Sequence, residues 1–137
     1  MKSHSTNYYN TFIQIADDCP ALSGETPVSK KESPTVASMQ FEMIQKHPYQ
    51  YTSDEIIFTV FADRKDLSDS ERPQAKIEFF SKGQPCLRAS ALGKRYGWGI
   101  HHDSEGKVAI YSSDSEMYHK LSSDPSLKIV KAMKSSR

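Results

Sequence analysis

Residues 80–102, FSKGQPCLRASALGKRYGWGIHH, bring cations, histidines, a cysteine and aromatic rings together in one short run and are the first candidate for a functional surface. The segment carries Lys82, Arg88, Lys94 and Arg95 together with His101 and His102, and no acid. Residues 103–124 answer it with Asp103, Glu105, Asp114, Glu116 and Asp124 against Lys107 and Lys120. Tyr96 and Trp98 interrupt the basic run, and Gly83, Gly93, Gly97 and Gly99 thin its bulk. Cations supply attraction, exposed backbone N–H groups supply donors, and aromatic rings supply a stacking surface. Lys82, Arg88, Lys94, Arg95, Tyr96 and Trp98 are therefore the expected ligand-binding residues, for an anionic small molecule or an acidic protein surface, with nucleic acid left open. The competing reading makes Trp98 and Ile100 core, the glycines turns, and the cations a solvated rim.

Cys86 stands between Lys82 and Arg88. Positive neighbours favour a thiolate, and a histidine in hydrogen-bond reach completes a nucleophile. A small enzyme that uses Cys86 with His101 is thus the alternative to a binding module, although no spacing signature supports it. KGQPCLRASALGK lacks the order of a phosphate-binding GxxxxGK[ST] loop, and GWG is not GxGxxG. His101 and His102 are adjacent, so on a strand they point to opposite faces and cannot share a metal ion. No HExxH, HxH or Cys/His cluster occurs, so neither metal nor cofactor is expected. Asp54-Glu55 and Asp17-Asp18 read as a helix start and a strand end rather than as paired catalytic acids.

Several elements must hold these groups in place. Residues 10–16 alternate as a short strand, and Pro20, Pro27 and Pro34 with intervening serines make 20–35 irregular. Ser33-Pro34 starts a helix carrying Val36, Met39, Met43 and Ile44 up to Pro48. Thr52 and Glu55 form a capping-box pair ahead of a second helix. A third is expected over 71–81, and Ser113 with Glu116 opens a short fourth that ends at Asp124-Pro125. Residues 97–102 and 107–112 flank HDSEG as a hairpin, and 127–133 supply a last strand. The expected fold is α+β, a roughly four-stranded antiparallel sheet with three to four short helices packed on one face.

At 137 residues the chain builds one core, over residues 1–137, with 1–9 and 20–35 flexible or irregular. A net charge of +1 gives no global attraction to polyanions, so any charge-based function is local. Its longest apolar runs, such as Ile56-Ile57-Phe58, are too short to span a bilayer, and the first residues lack a signal-peptide core. Cys19 and Cys86 lie far apart in unlike contexts and read as free thiols of the cytoplasm. A homodimer built on the hairpin or on an unpaired edge strand is a third functional reading.

The runs FFSKGQPCLRAS and KRYGWGIH, with QFEMI, PYQYTSDE and VKAMKS, resemble a family of small bacterial proteins known only as a domain of unknown function. The resemblance covers nearly the whole chain. It implies a bacterial, stand-alone, single-domain protein and carries over no activity, cofactor or catalytic residue.

Overall fold

The computed structural model describes residues 3–28 and 34–135. Four strands, β1 (Thr11–Gln14), β2 (Trp98–His102), β3 (Val108–Ser112) and β4 (Lys128–Lys131), form one sheet in the order β3-β2-β1-β4. β2 pairs antiparallel with β3 and with β1, the hairpin expected from the sequence. β4 runs parallel to β1, with Phe12 opposite Ile129, so the sheet is mixed and not purely antiparallel. The reason is the connection. Helix α5 (Glu116–Ser122) carries the chain from β3 across the sheet to its far edge, and such a crossover returns the next strand in the same direction.

That crossover also corrects the expectation of helices on one face. Phe12 and Ile13 are consecutive and fully buried, so both faces of β1 must be covered. Ile13, Ile100, Val108 and Ile110 pack with Ile44 of α1 (Val36–Lys46), Ile56 of α2 (Ser53–Arg64) and Leu92 of α4 (Ala91–Lys94). Phe12 packs on the opposite face with Tyr118 and Leu121 of α5. A third cluster, Phe58, Ala62 and Phe80, joins α2 to α3 (Arg72–Phe79).

Local chemistry sets the helix starts. Thr52 Oγ1 accepts from the Glu55 N–H at 3.2 Å and Glu55 Oε1 accepts from the Thr52 N–H at 3.0 Å, the reciprocal cap expected for α2. For α1 the cap is Thr35, whose hydroxyl accepts from the Ser38 N–H; the expected Ser33 lies outside the described residues. In α5 the cap is Ser115, two residues beyond the expected Ser113. The sequence reading left out α4 and the single 3₁₀ turn Leu87–Ala89 before it.

The segments expected to be flexible or irregular are irregular but tied down where described. Asp54 accepts from the Ser5 hydroxyl and from both the N–H and the hydroxyl of Thr6, at 2.6 to 2.8 Å, while its own N–H donates to Asn7 Oδ1. Residues 23–25 lie against the start of β2. Glu25 donates its N–H to the Tyr96 carbonyl and accepts from Trp98 Nε1, each at 2.8 Å.

Gly99 sits where α5 meets the sheet, and a Cβ there would lie 2.5 Å from Phe12 Cζ and 2.6 Å from Tyr118. Gly99→Ala is therefore expected to destabilise the fold by about 1–3 kcal/mol through overpacking. Urea denaturation checks this, and an unchanged midpoint would refute the close approach.

Candidate functional site: a cleft beside Cys86

The residues singled out in 80–102 have varied surroundings. Arg88 turns toward β4: its Nε donates to the Lys131 carbonyl and its own carbonyl accepts from the Met133 N–H, both at 2.8 Å. These two bonds cover the end of the outer edge of β4, which an unpaired edge strand would otherwise expose. Trp98 is half-buried, its ring tilted against Phe41 at 5.4 Å and closed on another side by Gly24, where a Cβ would come within 2.8 Å. Its role in the structure is packing. Tyr96 is half-buried and anchors Glu25 through its carbonyl. Lys94 ends α4, Arg95 caps it, and Lys82 is exposed in the turn after α3. Among the described residues none of Lys82, Arg88, Lys94 and Arg95 forms an ion pair.

Cys86 and His101 are not brought together. Strand alternation sends His101 to the Phe12 face, where its Nδ1 meets the Tyr49 hydroxyl at 2.7 Å and Tyr49 meets Tyr111 at 2.8 Å. Burial lowers the pKa of His101 while Asp103 and Asp124 oppose the shift, and burial raises that of Tyr49. Tyr49 adopts φ +59°, rare for a residue with a Cβ. Its N–H bond to the Val108 carbonyl and its hydroxyl bonds hold it there.

Cys86 belongs with the other histidine. Its Sγ lies 3.2 Å from the Tyr8 hydroxyl, and the Tyr8 ring stands edge-on to His102 with centroids 5.3 Å apart. Burial and then the Cys86 contact raise the Tyr8 pKa, against the nearby Arg88. His102 is fully buried, and neither ring nitrogen has a hydrogen-bond partner among the described residues. Burial holds its pKa down to about 4, although the Ile100 carbonyl lies near enough to favour the proton.

The segment's contribution to a cavity comes instead from residues 85–91. Pro85, Cys86, Ala89, Ser90 and Ala91 face Ala37 of α1 across a cavity of about 370 Å³. A second cavity of about 420 Å³ adjoins it, sharing the walls Val36, Gln40 and Ile57 and reaching Phe61, Arg64, Lys65 and Phe79. Both are within the size range of small-molecule sites and mostly apolar. The polar group common to them is Gln40, only 7% exposed. Ser90 Oγ accepts from the Leu92 N–H, and its own proton must then find an acceptor, which is Gln40 Oε1 at 2.6 Å. That bond fixes the amide so that the Gln40 NH₂ is the end left without a partner among the described residues. These two N–H donors open onto the largely apolar cleft, where an acceptor of a ligand can replace water on them. Sequence reasoning passed over Gln40. Its signal is a glutamine four residues after Val36 and four before Ile44, on the apolar stripe of α1.

A mixed four-stranded α+β domain with a cleft between its first two helices and the 85–91 segment is the class this geometry defines. The chain belongs to the family of unknown function DUF6157, whose family model matches residues 3–137. No curated protein and no solved structure matches it. No helix among the described residues is long and apolar enough to cross a membrane, and none of their His, Cys, Asp and Glu side chains group as a metal site.

The unfolded chain protonates His102 near its ordinary value of 6.5, whereas the folded protein resists until about 4. Stability is thus complete above pH 6.5 and is lost as pH falls through that window, with the depressed His101 adding in the same direction. Between about pH 7 and pH 5 the His102 contribution is a loss of about 2 kcal/mol. Urea titrations across that range should show a flatter pH slope in His102→Gln, and an identical slope would contradict a neutral buried ring.

Proposed function

We propose that this protein is a non-enzymatic binding module for a small, mainly apolar molecule that ends in a carboxylate or similar anionic acceptor. The observation that carries the reading is the Gln40 NH₂, unpartnered among the described residues and oriented by Ser90 at the wall shared by two mostly apolar cavities. Arg64 and Lys65 line the far cavity and favour a negative ligand. The free thiols of Cys19 and Cys86 suit the reducing cytoplasm of a bacterium.

The homodimer reading has less support. Arg88 covers part of the β4 edge, and a second β4 laid antiparallel on it would set Lys128 opposite Lys131. The original basic surface remains a distinct alternative, and one experiment separates it from the cleft. Octanoate and hydrocinnamate are titrated in a thermal-shift assay against the wild type, Gln40→Leu and the double variant Arg88→Ala/Arg95→Ala. A ligand that binds the folded state raises its Tm by mass action. The expected result is a shift kept in the double variant and lost in Gln40→Leu. A shift lost only in the double variant would move the site to the 80–102 surface, and no shift with either acid would refute the cleft as a carboxylate site.

A further inference from the structure

Cys86 and Gln40 line the same cavity, and the two groups do complementary things. Gln40 offers two N–H donors to an acceptor oxygen. Cys86 offers a sulfur that already has a hydrogen-bonding hydroxyl, Tyr8 Oη at 3.2 Å. Apart from Ser90, whose hydroxyl is already engaged with Gln40 and Leu92, the remaining walls, Val36, Ala37, Ile57, Pro85, Ala89 and Ala91, are apolar. A donor pair for an oxygen, a nucleophile and an apolar lining together match one class of reactive molecule, an apolar carbonyl compound with a conjugated double bond.

We propose that Cys86 is a covalent capture site for apolar α,β-unsaturated carbonyl compounds, whose carbonyl oxygen is held by the Gln40 NH₂. The inference rests on the cleft reading above. In the step, the thiol gives its proton to water and the resulting thiolate forms an S–C bond to the β-carbon. The π pair of the carbon–carbon bond moves through the α-carbon onto the carbonyl oxygen as an enolate. Tyr8 O–H donates to the sulfur while it is anionic, and the Gln40 N–H groups donate to the enolate oxygen, where negative charge develops. The α-carbon then takes a proton from water. The sum is addition of S–H across the double bond, so no oxidant, reductant or leaving group is required. Cys86 is the reacting group, and Gln40 is the residue that holds the oxygen.

Cys19 provides an internal control, because it too is a half-buried free thiol but its sulfur sits 4.0 Å from the Ala21 carbonyl, beside an acceptor rather than a donor. The reduced full-length protein is treated with cinnamaldehyde and, separately, with methyl methanethiosulfonate, a small thiol reagent that has no carbonyl. Peptide mass mapping follows the rate at each cysteine. Hydrogen bonds to a developing charge predict that cinnamaldehyde modifies Cys86 at least about tenfold faster than Cys19. Gln40→Leu should remove about tenfold of that rate and leave methyl methanethiosulfonate within about twofold. Val36→Trp, which fills the lip of the cleft at a 44% exposed position, should slow cinnamaldehyde in the same way without touching the Gln40–Ser90 bond. Equal cinnamaldehyde rates at the two cysteines, or a Gln40→Leu effect that is absent or equal for both reagents, would overturn the proposal. Hydrocinnamate separates the two levels. If it raises Tm while cinnamaldehyde shows no preference for Cys86, the cleft stands and covalent capture fails; if neither acts, both fail.

Discussion

Phe12 and Ile13 are consecutive and fully buried, and in a pleated strand they point opposite ways. Once both must be dry, the sheet needs cover on each face, and the rest of the architecture answers that demand. α1, α2 and α4 close the Ile13 side, and α5 closes the Phe12 side as the chain crosses from β3 to β4. The parallel pairing of β4 and the tight fit at Gly99 both follow from that single crossing.

The same alternation sorts the chemistry. His101 and His102 are neighbours in sequence yet serve different environments, one hydrogen-bonded to Tyr49, the other sealed beside Tyr8. Burial without a partner keeps His102 neutral and makes it a point of weakness toward acid. Tyr8 then links that sealed ring to the Cys86 sulfur at the wall of the cleft. Arg88, only two residues on, lies near Tyr8 and also covers part of a strand edge.

Gln40 shows how a polar group acquires a direction. A buried serine that accepts from one backbone N–H must donate its own proton, and Ser90 donates it to the amide oxygen of Gln40. The amide is thereby oriented, with its donors unpartnered among the described residues. This logic of satisfied and unsatisfied groups, more than the cationic surface, gives the cleft its chemical character.

Short-range chemistry was written in the sequence. The Thr52–Glu55 capping box, the hairpin around HDSEG, helices ending near Pro48 and Pro125, and the α+β class all follow from residues within one or two turns of each other. That His101 and His102 face apart followed as well, from the pleat alone. Which of them meets Cys86, whether β4 runs parallel, and where Arg88 spends its donors depended on contacts between residues far apart in the chain, such as Tyr8 with Cys86 and Arg88 with Lys131. The pinning of residues 5–7 through Asp54 and the direction of the Gln40 amide are of the same kind. Local propensity constrains a residue's own backbone, but only the packing of distant elements decides which face is dry, which donor is already used and which is left over.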